Sequence, residues 1–134
     1  MELNRLKKQI SLFEKANNTL QNVFIEKENF SQLEKDWVIQ RFEYTIEIAW
    51  KTLKKILEYE QVNFNPSPRQ ILKESYKLNL IDNLELWYEF LDIRNQMSHV
   101  YSDFYSNDNF DFIKSHHKKI TILVEKLNNY KNTL

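Results

Sequence analysis

The sequence predicts an all-α fold, an antiparallel four-helix bundle with an additional short helix, in a single domain over residues 1–134. Glycine is absent from the 134 residues and proline occurs twice, so tight hairpins and glycine-rich phosphate loops have little support. Apolar residues recur at spacings of three and four, which is the period of an amphipathic helix. A hydrophobic content of 42% is enough to form one core.

The first two helices follow from one apolar stripe and one capping signature. The first helix is predicted to run to about Ile25, on the stripe formed by Leu3, Leu6, Ile10, Phe13, Leu20 and Phe24. Ser31 and Glu34 then have the spacing of a capping box, which starts a long second helix. Its apolar positions cover a wide face: Trp37, Val38, Phe42, Ile46, Ala49, Trp50, Leu53, Ile56 and Leu57. We expect this helix to contact neighbours on more than one side.

Both prolines lie in residues 63–68, and this segment is predicted to end the second helix. Ser67 and Pro68 suit the cap and the first position of a short third helix that ends near Lys77.

A second capping signature, Asp82 to Glu85, opens the fourth helix. Its core-facing positions are Leu84, Trp87, Phe90, Leu91 and Met97. Residues 101–108 are aromatic and turn-prone, and they are predicted to form a loop before the last helix. That helix is marked by Phe110, Ile113, Ile120, Leu123, Val124 and Leu127 and is predicted to end near Tyr130.

Composition limits the function. Nineteen basic and nineteen acidic side chains give a formal net charge of zero, which argues against broad coating of a nucleic acid and favours a local basic site. The absence of cysteine excludes disulfides and a thiol nucleophile and is compatible with a reducing compartment. No stretch approaches the ~18 apolar residues of a membrane span, and the polar N-terminus lacks a signal core. We expect a cytoplasmic protein.

His116 and His117 are neighbours, and adjacent helical residues point about 100° apart, so they do not form a ready metal pair. Together with Lys114, Lys118 and Lys119 they are predicted to form a solvated basic face. We therefore predict no metal site.

The chemistry is concentrated at the end of the fourth helix, where Arg94, His99 and Tyr101 lie within eight residues. A permanent cation, an imidazole and a phenol are groups suited to phosphodiester chemistry without a metal. On a helix, Arg94 and His99 are offset by about 140°, so their convergence requires a distortion or a second copy of the site. A twofold dimer supplies that copy.

In such a shared cleft, His99 would remove the proton from an RNA 2′-hydroxyl while Arg94 holds the phosphate. Asn95 and Ser98 would orient the imidazole or bind the phosphate, and Tyr101 would stack on a base or donate a hydrogen bond. Arginine and histidine near a helix C-terminus are also common capping groups, so the residue pattern alone leaves the function open.

The spacing of Arg94, His99 and Tyr101 is R-x4-H-x-Y, which resembles the motif of HEPN-domain proteins, particularly HepT-like toxins and the nucleotidyltransferase substrate-binding subunits. Residues 40–51, 67–69 and 91–95 resemble the substrate-binding-subunit branch at matching places. The similarity covers roughly residues 5–130.

This resemblance implies a homodimeric bundle that works with a separately encoded nucleotidyltransferase of the MNT type. In HepT-like toxin-antitoxin systems the HEPN protein is an RNase that cleaves RNA such as tRNA or mRNA, and the partner silences it by transferring AMP to the motif tyrosine. Carried over, Arg94 and His99 are catalytic and Tyr101 is the AMP acceptor. Glu43 matches an acidic position on the second helix and is expected to orient Arg94. The resemblance implies no cofactor.

A second function stays open on the same residues. The name of the branch, substrate-binding subunit, describes a noncatalytic protein that presents a small molecule to the nucleotidyltransferase. The cluster would then be a binding site. The zero net charge favours this alternative, whereas the intact Arg94, His99 and Tyr101 favour the RNase.

Overall fold

The computed structural model of the chain describes residues 2–97 and 103–134, with side chains described for all of these except 96, 97 and 103–106. The described residues form six helices: α1 (Glu2–Glu26), α2 (Gln32–Tyr59), α3 (Pro68–Lys77), α4 (Leu84–Met97), α5 (Asp103–His116) and α6 (Lys118–Asn132). No described residue lies in a strand, and the all-α class is confirmed. Over the same ranges, no helix combines the length and apolar character needed to cross a membrane.

The helices pack around α2, which contacts α1, α3, α4 and α5. The direction of α1 against α2 is set by two contacts in reversed order, Gln9 with Thr52 and the Ala16 carbonyl with Thr45. The α6 helix also packs on α1, through Asn17 with Thr121 and Glu14 with Asn128, again in reversed order. The second helix is thus the centre of the bundle, as its wide apolar face predicts.

Both ends of α2 have identifiable causes. The Ser31 hydroxyl accepts from the Glu34 amide while the Glu34 carboxylate accepts from the Ser31 amide, which confirms the predicted capping box. The helix ends at Tyr59, before the proline segment, and Gln61 follows in the left-handed region with φ of 59°. The chain therefore turns away from α2 earlier than the prolines require.

The starts of α3 and α4 position the fourth helix. Pro68 occupies the first turn of α3 after Ser67, as predicted. At α4 the Asn83 side chain accepts from the Leu86 amide, so Asn83, rather than the predicted Asp82, caps the helix. Arg69 of α3 then joins α4 through an ion pair with Asp92 at 3.1 Å.

The core beneath α4 is aromatic. The Phe90 ring is fully buried and packs edge-on against Phe42, Trp87 and Phe112, with ring centres 5.4, 5.2 and 6.0 Å away. Such edge-to-face pairs add to the free energy of burying the rings. They fix α4 against α2 and α5, and therefore fix the position of Arg94 in the last turn of α4.

The predicted loop over 101–108 and the single last helix are both wrong over the described residues. Helix α5 begins at Asp103, and the last helical segment is divided at His117 into α5 and α6, so six helices replace the predicted five. Ser, Asn and Asp favour turns by propensity only, and no glycine or proline prevents a helix here. Burial of Phe110 and Ile113 stabilises α5 instead.

The division at His117 has a structural cause. The Gln21 amide donates to the His117 carbonyl at 2.9 Å, and the Ile120 amide bonds the same carbonyl at 3.1 Å, which tightens the turn. The His117 ring stacks on Phe24 with ring centres 4.0 Å apart, and its Nδ1 lies 2.5 Å from the Gln21 Oε1. His117 is 5% exposed, so the predicted solvated basic face does not include it. Trp37, predicted to be in the core, is 44% exposed.

Burial of His117 predicts a loss of stability in acid. Burial, with a smaller contribution from the Lys118 charge, lowers the pKa of His117 from 6.5 to about 4. Between these values the unfolded chain binds the proton and the folded chain does not. The contribution is present in full above pH 6.5, and the free energy of unfolding should fall by up to about 1.4 kcal/mol per pH unit as the pH drops toward 4.

Urea unfolding at a series of pH values across this window measures the effect. His117→Asn keeps a donor for Gln21 but does not titrate. The free energy of unfolding should therefore depend more steeply on pH in the wild type than in the variant, by the uptake of about one proton on unfolding. Parallel pH curves for the two proteins would show that His117 does not change its protonation on unfolding in this range.

Candidate functional site

One face of α2 and the last turn of α4 border an open surface pocket of about 390 Å³. Helix α2 contributes Gln40, Glu43, Tyr44 and Glu47, and α4 contributes Arg94. The four α2 residues are spaced by three, one and three, so they lie on one side of the helix. This side is turned away from Thr45 and Thr52, which contact α1.

Arg94 reaches the pocket because it continues the buried stripe of α4. It comes seven residues after Trp87 and three after Leu91, both of which are buried. Its position in the last turn of α4 is also favourable for a cation, since helix carbonyls there carry partial negative charge. The side chain is 24% exposed, so the charged group lies at the boundary between the core and the pocket.

Glu47 holds the Arg94 guanidinium. The Arg94 Nη2 lies 2.5 Å from the Glu47 Oε2, and the Arg94 Nη1 donates to the Asn95 Oδ1 at 2.7 Å. The Trp50 indole donates to the same Glu47 Oε2 at 3.1 Å, and the Lys51 Nζ lies 3.4 Å from the Glu47 Oε1. The Trp50 indole and the Lys51 ammonium thus hold the Glu47 carboxylate, and that carboxylate holds the Arg94 guanidinium.

The charges of this group are stable near neutral pH. Burial alone would raise the pKa of Glu47, but the Trp50 hydrogen bond and the Arg94 charge outweigh burial, and the pKa lies below its usual value of 4.5. Arginine does not lose its proton in proteins. The arrangement therefore holds a permanently charged guanidinium at the edge of the pocket, paired with the Glu47 carboxylate.

The structure brings together part of the predicted site. Arg94 and Asn95 are in contact, and Glu43 lines the same pocket. The described contacts give Glu43 no ion pair, and the carboxylate in contact with Arg94 is Glu47, one helical turn further along α2. The predictions for Ser98, His99 and Tyr101, and for the Met97 side chain, lie outside the described residues.

Sequence reasoning missed the role of Glu47. A signal was present, because Trp50 and Lys51 follow Glu47 at spacings of three and four, the positions from which an indole and an ammonium reach a carboxylate on the same helix face. What the sequence lacked was the register of α4 against α2. That register decides which of two carboxylates one turn apart meets Arg94, and it depends on the aromatic packing around Phe90.

Comparisons with known proteins place the chain among related sequences. The model of the family described as "Nucleotidyltransferase substrate binding protein like" matches residues 4–129. A curated protein of Haemophilus influenzae, "Probable ribonuclease HepT", is 31% identical over 67 residues, which are 47% of this chain and 46% of that protein. The alignment therefore spans about half the length of that relative.

Proposed function

The chain belongs to the family of nucleotidyltransferase substrate-binding-like proteins and is a HepT-like HEPN protein, and from this premise we propose that it is the toxin of a toxin-antitoxin system, an endoribonuclease that needs no metal. The observation that carries the proposal is the Arg94 guanidinium, fixed by Glu47 at the edge of a pocket. Arg94 is the first residue of the motif, five residues before His99, and lies in the last turn of α4.

The proposed reaction uses the 2′-hydroxyl of the RNA as nucleophile. His99 takes the proton from that hydroxyl, its oxygen forms a bond to the phosphorus, and the bond from phosphorus to the 5′ oxygen breaks. A proton is returned to the leaving oxygen, and the products are a 2′,3′-cyclic phosphate and a 5′-hydroxyl. Arg94 binds the phosphate and stabilises the negative charge that builds on it during attack. Asn95 and Ser98 assist by orienting the imidazole or binding the phosphate.

The active form in this proposal is a homodimer. A second copy would bring another Arg94 and His99 to the same cleft, as the offset of about 140° expected for these two residues on an ideal helix requires. An apolar surface for that contact is available at the start of α2, where Leu33 is 79% exposed and Trp37 is 44% exposed. These residues are four apart on the helix that carries the pocket, so a second copy packed there would lie beside the site.

Glu47 is proposed to position Arg94 for this reaction. Glu47→Gln keeps an acceptor for Trp50 but loses the charge-assisted contact to Arg94, and we expect RNA cleavage to fall about 10-fold. Initial rates over a range of RNA concentrations measure the effect and separate kcat from KM. Glu58→Gln, an exposed position on the same helix, is the matched control, and Glu47→Asp should recover part of the loss. Equal rates for the Glu47→Gln variant and wild type would remove the positioning role.

Silencing is proposed to occur at Tyr101. The phenol attacks the α-phosphorus of ATP, pyrophosphate leaves, and the AMP adds bulk and negative charge beside a site that must bind an anionic phosphate. We expect Tyr101→Phe to take up no AMP from an MNT-type nucleotidyltransferase and to stay active in its presence. Intact mass after incubation with ATP measures the transfer. A Tyr101→Phe protein that still gains AMP would place the acceptor elsewhere.

Growth of bacteria that express the chain alone tests the proposed toxin function. Expression without a partner nucleotidyltransferase should arrest growth and produce RNA fragments that end in a cyclic phosphate. Normal growth and intact RNA in the presence of abundant folded protein with unmodified Tyr101 would contradict the toxin function. That outcome would favour the noncatalytic substrate-binding subunit, the alternative that the zero net charge supports.

A further inference from the structure

The pocket beside Arg94 holds polar groups that the proposed reaction does not use. The side chains of Gln40 and Glu43 make no hydrogen bond to any residue in the described ranges, although both line the pocket. Tyr44 is 43% exposed beside them. The Arg41 guanidinium lies 4.6 Å from the centre of the Tyr44 ring, so one face of the ring is covered by a cation and the exposed part of the ring is left for another contact.

These groups have the properties of a site for a planar, polar ring. An exposed tyrosine whose orientation is held by an arginine offers a stacking surface. A carboxylate accepts hydrogen bonds, and an amide both donates and accepts, which is what reading the edge of a base requires. The volume of about 390 Å³ falls within the range of small-molecule sites, and the phosphate-binding cation Arg94 is part of the same wall.

We propose that this pocket is a nucleobase subsite that receives the base of the nucleotide next to the phosphate held by Arg94. Tyr44 stacks on the base, and Gln40 and Glu43 bond its edge. The inference rests on the proposed RNase function and adds to it the selection of a cleavage site. It also fits a protein of zero net charge, since affinity would then come from stacking and base contacts as well as from phosphate contacts.

The polar lining favours a base over a second copy of the chain as the occupant. The exposed apolar residues of α2 suited to protein contact, Leu33 and Trp37, lie toward its N-terminus, and Tyr44 comes two helical turns after Trp37, about 10 Å along the axis. Burying Gln40 and Glu43 against protein would require a hydrogen-bond partner for each, because an unsatisfied buried polar group is destabilising.

Binding of short single-stranded oligonucleotides with 2′-O-methyl groups tests the subsite, because these RNAs cannot be cleaved by 2′-hydroxyl attack. Four oligonucleotides that differ in one central base are titrated into the wild-type protein, and the dissociation constants are compared. We expect one or two bases to be preferred by about 5-fold or more. Tyr44→Ala should weaken binding of all four by about 5- to 150-fold, the range of a lost stacking contact. Glu43→Gln should change the order of preference, since an amide offers a donor where the carboxylate only accepts.

Two control variants change the same residue types at exposed positions outside the pocket. Tyr76→Ala, at a tyrosine that is 46% exposed on α3, and Glu58→Gln on α2 should leave the dissociation constants and the preference unchanged. A wild-type protein that binds all four bases equally would overturn the subsite, whether or not it cleaves RNA. A protein that shows the base preference but leaves RNA without 2′-O-methyl groups intact would contradict the proposed RNase function and not the subsite.

A measurement of mass beside the same titrations tests whether Tyr44 instead packs against a second copy of the chain. The mass of each variant in solution is measured by light scattering at the concentrations used for binding. A change from dimer to monomer in Tyr44→Ala, together with an unchanged base preference, would show that Tyr44 packs against protein and would overturn its role in the subsite.

Discussion

Replacing His99 with alanine is expected to reduce RNA cleavage by about 10²- to 10⁴-fold, the range over which a positioned general base accelerates proton transfer. A phenol is a poor substitute, because tyrosine side chains in general have a pKa of about 10 and are protonated at neutral pH. Phosphate binding through Arg94 does not involve the imidazole, so RNA affinity should change far less than the rate. Single-turnover cleavage and binding of a 2′-O-methyl RNA measure the two effects separately.

Thermal unfolding and solution mass of the His99→Ala protein are its controls. Loss of cleavage counts only if both match wild type. A variant that folds, has the wild-type mass and cleaves within 3-fold of the wild-type rate would remove His99 from the catalytic group and would leave the reaction without an identified base.

Replacing Arg94 with alanine is expected to reduce cleavage by about 10²- to 10³-fold, because the cation that stabilises the charged phosphate in the transition state is lost. The variant also leaves Glu47 with its negative charge at the pocket, where it repels a phosphate. Arg94→Lys keeps the charge but loses the planar fork that contacts Glu47 and Asn95 together, and it should recover only part of the rate.

Arg69→Ala is the matched control for Arg94→Ala. Arg69 also pairs with a carboxylate, Asp92, but both of these side chains are more than half exposed and lie outside the pocket. Its loss should change stability and cleavage little, since exposed ion pairs contribute about 0–1 kcal/mol. Equal losses in the two variants would mean that the Arg94 effect is a general loss of positive charge. Wild-type cleavage by Arg94→Ala would contradict the site.

Much of the fold could be predicted because local signals determine it. The apolar stripe of α1, the capping box at Ser31 and the proline at Pro68 fixed three helix boundaries to within about two residues. The apolar face of α2 indicated its central position. These features depend on neighbours within one or two turns, and a sequence displays them directly.

The features that sequence patterns did not predict depend on tertiary contacts between distant parts of the chain. His117 is adjacent in the chain to lysines and was predicted to lie on a solvated face. Contacts with Phe24 and Gln21, almost a hundred residues earlier, bury it and interrupt the last helix. Asp82 and Asn83 are both residue types that cap helices well, and in the structure it is the Asn83 side chain that accepts from the Leu86 amide. Packing of α4 on α2 around Phe90 likewise determines that Glu47, and not Glu43, contacts Arg94.

Incubation of wild-type protein and the His99→Ala variant with total tRNA in EDTA, followed by analysis of the fragment ends, tests the central claim most directly. The unmodified state of Tyr101 is first confirmed by intact mass. We expect fragments with 2′,3′-cyclic phosphate and 5′-hydroxyl ends from the wild type and none from the variant. Intact tRNA in both reactions, or equal cleavage in both, would contradict a metal-independent ribonuclease that acts through His99.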